Sequence, residues 1–138
     1  MITLIYISHK ISDGGLLSNE EKIYNKRKAI KFTNWLRANF PRAHYYCPGE
    51  AEIFVSKALN DGYLTIDQIL NIDCEIVKEC SGLIVYSPDG KISKGMNTEI
   101  DFANVNGVPV LKLWYADDLN EDKLIKMVND FLVEIIDS

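Results

Sequence analysis

Gly82-Leu83-Ile84-Val85-Tyr86, then Ser87-Pro88-Asp89-Gly90, then Ser93-Lys94-Gly95-Met96-Asn97-Thr98-Glu99-Ile100-Asp101-Phe102-Ala103, and then Val108 to Leu113: this stretch decides the fold. Its first segment is a short apolar run of the kind buried in a parallel sheet. Ser87 to Gly90 break that run. The spacing predicts a helix from Gly95 or Met96 to Asn106, stopped by Gly107, and a second apolar strand over Val108 to Leu113. Glu99 lies in the first turns of that helix, where strands end and helices begin. Open α/β sheets bind their ligands there.

The same grammar extends to both sides. Ile2 to Ile7 reads as a buried strand, and His9 to Ser18, with Asp13-Gly14-Gly15, as a loop. Ser18-Asn19-Glu20-Glu21 is a capped helix start, and Ala29, Phe32, Thr33, Leu36 and Phe40 give that helix one apolar side before Pro41. His44 to Cys47 is a short strand stopped by Pro48-Gly49. Helices follow over Ala51 to Leu59 and Thr65 to Cys80. Leu119 to Ile136 closes the chain as an amphipathic helix with Leu124, Val128, Phe131 and Ile135 on one stripe.

Strands alternating with helices imply a parallel sheet with helices on both faces. The expectation is one α/β domain over residues 1–138, flavodoxin-like (Rossmann-like), with about four strands in the order 2-1-3-4 and right-handed crossovers. The switch point then lies between strands one and three. The loops at Ser8-His9-Lys10 and Ser87 to Lys94 face each other across it, which makes Ser8, Ser87 and Asp89 candidate substrate-binding residues.

The 138 residues suffice for one domain with a real core. A net charge of −5 argues against non-specific binding to a nucleic-acid polymer but not against a small anion. The start lacks the basic region of a signal peptide, and no stretch approaches a membrane span, so a cytoplasmic protein without a membrane partner is expected. Cys47, Cys74 and Cys80 are odd in number and form no CxxC pair, so reduced thiols are expected. His9 and His44 are isolated, and neither a metal nor a cofactor is expected.

Two carboxylates stand out. Asp73 falls within the apolar stripe Ile66, Ile69, Leu70, Ile76, Val77 and Cys80, where an unpaired charge is expensive. Two readings are open: an Asp bonded to a loop's backbone amides, or a site carboxylate that holds a proton. Glu99 lies beside the stripe Met96, Ile100 and Ala103, whereas Asp101 points away from it. Near a helix N-terminus Glu99 is expected to stay ionised. Two carboxyl groups in different environments meet the general requirement for glycosidic cleavage.

These residues resemble the nucleoside 2-deoxyribosyltransferase-like superfamily, which includes the deoxyribosyltransferases and the nucleoside 5′-monophosphate N-glycosidases. The resemblance runs through Ile5-Tyr6-Ile7-Ser8, Pro48-Gly49-Glu50, Asp73, Cys80 to Val85, Ser93-x-Gly95-x-x-x-Glu99-Ile100-x-x-Ala103 and Gly107-Val108-Pro109-Val110. It implies that Glu99 attacks C1′ of the sugar, that Tyr6 orients Glu99, and that Asp73 assists the departing base. Tyr6 also admits the reading of a core aromatic. Gly95 would let the backbone approach the sugar.

Ser93 matches the serine of the monophosphate glycosidases, where the transferases carry an acid. With Lys94 and the amides of Gly95 to Asn97 it would cradle a 5′-phosphate. Ser93 and Lys94 without a ligand role are the other reading. The chain departs from the pattern in its longer first loop, in lacking an arginine close behind Tyr6, where Lys10 is the nearest cation, and in placing Asp89 further upstream than the transferases' acid.

The resemblance implies cleavage of the N-glycosidic bond of a (deoxy)nucleoside or its 5′-monophosphate, with transfer of the sugar to another base or to water, in a homo-oligomer. The alternatives are a nucleotide-sensing module without turnover and a TIR-like NAD glycohydrolase.

Overall fold

The computed structural model describes residues 2–11 and 17–137. The expected loop signal Asp13-Gly14-Gly15 lies outside the described residues. The elements run β1 (Leu4–Ser8), α1 (Asn19–Asn39), β2 (His44–Tyr46), α2 (Glu52–Asn60), α3 (Ile66–Glu79), β3 (Gly82–Ser87), α4 (Lys94–Val105), β4 (Val110–Trp114) and α5 (Glu121–Ile136). Short 3-10 turns at Pro48–Ala51 and Ala116–Asp118 precede α2 and α5. All described strand pairs are parallel, in the order β2-β1-β3-β4. This is the doubly wound, flavodoxin-like arrangement expected from the sequence.

Local chemistry sets the helix ends. Ser18 and Glu21 form a capping box on α1, and Thr65 and Gln68 form another on α3. Asn120 caps α5 through the Lys123 amide. At the end of α4, Gly107 takes φ +71°, the Val108 amide donates to the Ala103 carbonyl at 2.9 Å, and the Gly107 amide donates to the Asn104 carbonyl. These are the two bonds of a Schellman stop, and they require the left-handed residue that glycine supplies.

The sheet is covered on both faces. Ile5, Ile7, Ile84, Tyr86 and Leu113 pack with Ala29, Phe32 and Leu36 of α1 and Val128, Phe131 and Leu132 of α5. Tyr6, Leu83 and Val85 pack on the other face with Val77 of α3 and with Met96, Ile100 and Ala103 of α4. Side chains alternate along a strand, so Tyr6 and Ser8 belong to the α3/α4 face and Tyr86 to the α1/α5 face.

Helix α3 departs from its expected stripe. Cys74 and Val77 are its buried residues, while Ile66 is 59% exposed. The helix packs against α4 and β1, and its buried residues all lie in its C-terminal half. Among the described residues, no helix is long and apolar enough to cross a membrane.

Gly82 opens β3 beneath α5. A Cβ there would lie 2.7 Å from Ile135 Cδ1, 3.0 Å from Phe131 Cζ and 3.2 Å from Ile5 Cδ1. Overpacking of this kind costs about 1–3 kcal/mol. Gly82→Ala is therefore expected to lower stability by that amount in chemical denaturation, while Gly95→Ala, whose Cβ meets only Ser93 Oγ at 4.0 Å, is expected to change it by less.

Candidate active site

Period-two alternation in β1 aims Tyr6 and Ser8 at α4, and helical spacing aims Met96, Glu99, Ile100 and Ala103 back at them. Glu99 stands within this buried stripe rather than beside it, and only 6% of its surface is exposed. Both carboxylate oxygens are engaged. The Tyr6 hydroxyl donates to Oε2, and Ser8 Oγ donates to Oε1 at 2.8 Å. Tyr6 is thus both a core aromatic and the group that orients Glu99. Ser8, expected to touch substrate, instead holds the carboxylate.

Burial dominates the electrostatics. It pushes the Glu99 carboxyl up to about 7; the Tyr6 and Ser8 hydroxyls pull it down, and the charge of Asp73 raises it further. The expectation of an ionised Glu99 under helix-dipole control is therefore corrected. Glu99 is the sixth residue of α4, beyond the first turn where the dipole acts, and desolvation prevails there. Asp73 is half-buried, and burial lifts its carboxyl to about 6. Asp73 lies on α3, which packs against α4 and β1, and its charge raises both Glu99 and Tyr6. The two shifts run opposite to the expected order, since Glu99 holds its proton to higher pH than Asp73. Tyr6 is raised well above the ordinary phenol by burial and then by Glu99 and Asp73, so it stays a donor.

Tyr46 completes this group. Its ring centroid lies 5.5 Å from that of Tyr6, tilted by 33°, and its hydroxyl is raised by burial and by the charges of Asp73 and Glu99. The strand alternation that puts Tyr6 on this face puts its partner Tyr46 there too, through the Tyr6–Tyr46 register.

The remaining candidates are divided. Ser93 Oγ caps α4 by accepting from the Met96 amide at 3.2 Å, and the Ser93 carbonyl accepts from the Asn97 amide at 3.0 Å. The expected cradle of free amides at Gly95 to Asn97 is thus reduced, because the helix begins at Lys94, earlier than its sequence signal, and uses two of them. Lys94 and Asn97 are exposed, and the space on the Cβ side of Gly95 is open. Ser87 Oγ donates to the Lys91 carbonyl at 2.7 Å, and Asp89 Oδ1 accepts from the Lys91 amide at 3.0 Å. Both serve the turn after β3 and are not joined to Glu99.

His9 was not a candidate, yet it fixes the exit from β1. The Gly49 amide can only donate, so Nε2, at 3.0 Å, must accept. Nδ1 then carries the proton and donates to the Lys10 carbonyl at 3.2 Å. Burial lowers this imidazole to about 4. Cys47, Cys74 and Cys80 are buried thiols, and among the described residues no three His, Cys, Asp or Glu side chains gather to hold a metal ion.

A carboxyl raised on folding keeps its proton in the native state while the unfolded chain loses it. Native stability is then fullest below about pH 4.5 as regards Glu99 and falls as pH rises to about 7. The loss is on the order of 3 kcal/mol for a shift of this size. Glu99→Gln keeps an acceptor for Tyr6 and a partner for Ser8 but cannot ionise. Denaturation midpoints measured from pH 5 to 8 are expected to fall less steeply in Glu99→Gln than in the parent, leaving the smaller drop due to Asp73 below about pH 6.

Comparisons with protein-family models, with curated proteins and with solved structures returned no match to this chain.

Proposed function

We propose that the protein cleaves the N-glycosidic bond of a (deoxy)nucleoside or its 5′-monophosphate, with Glu99 as nucleophile and Asp73 as the acid that serves the leaving base. The observation that supports this reading is the buried Glu99 carboxylate, held at both oxygens by Tyr6 and Ser8 and set within the field of a second raised carboxyl. Hydroxyl donors fix the carboxylate's orientation, which a near-attack geometry at C1′ requires. A glycosyl-enzyme ester then forms as the C1′–N bond breaks, and the base leaves with a proton from Asp73. Water or a second base releases the sugar.

Coupled carboxyls titrate as a pair. With Glu99 near 7 and Asp73 near 6, the singly protonated pair is most populated between those values. In that state the proton must pass from Glu99 to Asp73 before attack. Fully protonated, the pair has no nucleophile; fully ionised, it has no acid.

Incubation with a panel of nucleosides, their 5′-monophosphates and NAD, with chromatography of the released base, tests the assignment. Glu99→Ala is expected to lose several orders of magnitude in rate. The pH profile of kcat/KM is expected to be a narrow bell with limbs near 6 and 7, and Asp73→Asn to lower its height and remove the alkaline limb. Base release that persists unchanged in Glu99→Ala rejects the nucleophile. A second reading, ligand sensing without turnover, is favoured by one observation: both Glu99 oxygens are already occupied in a carboxylate that is 6% exposed. Saturable nucleotide binding without release of base from any substrate would select it.

A further inference from the structure

On the α1 side of the switch point lies a concavity that Glu99, Asp73 and Tyr6 do not line, though Lys10 and Asp89 do. A cavity of about 130 Å³ opens between the ends of β1 and β3 and the flank of α1, with Lys10, Lys28, Lys91 and Tyr86 in its wall. A neighbouring cavity of about 300 Å³ continues along α1 and is apolar, walled by Phe32, Trp35 and Leu124. Tyr86, Lys28 and Asp117 line both, so the two meet at the Lys28–Asp117 ion pair.

Three features of this groove point to a ligand. The Tyr86 ring is buried and stacks on Phe32, with centroids 4.4 Å apart, while its hydroxyl, bonded to none of the described residues, is not sealed from solvent and lies in the wall of both cavities. Burial pushes that phenol up to about 12, so it remains a donor throughout the ordinary pH range. Lys91 is held at its amide by Asp89 and at its carbonyl by Ser87, which presents its side chain from a fixed turn. The polar end holds three ammonium groups against two carboxylates, Asp89 and Asp117, and Asp117 is already paired with Lys28.

We infer that this groove binds a small organic anion with an aromatic or alkyl body, its phosphate or carboxylate set between Tyr86, Lys10 and Lys91 and its body on Phe32, Trp35 and Leu124. The Tyr86 hydroxyl supplies the directed donor and the lysines supply the charge. The Lys28–Asp117 pair bridges the groove and competes with the ligand for the Lys28 ammonium. None of its lining residues bonds to Glu99, which is held by Tyr6 and Ser8.

Phenyl phosphate, inorganic phosphate and phenol, each titrated into the full chain by calorimetry, test the proposal. Phenyl phosphate is expected to bind more tightly than either fragment and to weaken as salt rises. Tyr86→Phe, which keeps the ring on Phe32, is expected to weaken binding about tenfold, in the range of one hydrogen bond to a charged group. Lys91→Met is expected to do likewise, and Asp117→Asn, by freeing Lys28, to tighten binding several-fold. Glu99→Gln is expected to leave binding unchanged. Absence of saturable phenyl phosphate binding, or binding indifferent to Tyr86→Phe and Lys91→Met, overturns the proposal. So does loss of binding in Glu99→Gln, which moves the ligand to the opposite face, and so does inorganic phosphate binding as well as phenyl phosphate, which removes the role of the apolar walls.

Discussion

A carboxylate is forced to sit in a core, and two hydroxyls from a strand far away in sequence make that possible. Glu99 joins α4 to β1 across 93 residues through Tyr6 and 91 through Ser8. An unpartnered carboxylate in this position would cost several kcal/mol or would simply remain protonated. The two donors leave it near the midpoint, with its proton held loosely. That condition depends on the register of the whole sheet. A slip of β1 by one residue would turn Tyr6 and Ser8 to the α1/α5 face and leave Glu99 among Met96, Ile100 and Ala103 alone.

The doubly wound topology gives the two faces different work. Toward α3 and α4 the sheet carries ionisable groups, Tyr6 bonded to Glu99 and packed on Tyr46, with the charge of Asp73 raising all three. Toward α1 and α5 it carries the Tyr86 ring, the lysines and an open groove. Adjacent residues of β3 divide between the two, because Val85 belongs to one layer and Tyr86 to the other.

Most of the architecture was legible because its signals are local. Apolar runs bounded by Pro, Gly and Asx residues marked the strands, and capping residues such as Ser18 and Thr65 marked the helix starts. The parallel sheet followed from the alternation, and the order 2-1-3-4 from the flavodoxin-like arrangement that such a chain adopts. Side-chain detail was less legible. Glu99 shares the i, i+3, i+4, i+7 spacing of Met96, Ile100 and Ala103, so its burial was readable, but its acidity was not, since that depends on how completely β1 and α3 exclude water. The stripe on α3 misled because hydrophobic periodicity does not reveal how much of a helix overlies a sheet, and Ile66 is exposed. Ser8, Ser87 and Ser93 are chemically alike in sequence, yet one holds a carboxylate, one closes a turn and one caps a helix.

The imidazole of His9 shows what full engagement of both ring nitrogens does to a titratable side chain. With one nitrogen receiving the Gly49 N–H and the other directed to the Lys10 carbonyl, the ring acts as a rivet between the first strand and the turn after β2. Gly49 must be small for the ring to come so near, since a Cβ would lie 3.0 Å from Cε1. The residue most often associated with physiological acidity sensing is thereby taken out of that role. Mild acidification should leave this seam of the molecule unchanged while it alters the charge on the acidic pair close by.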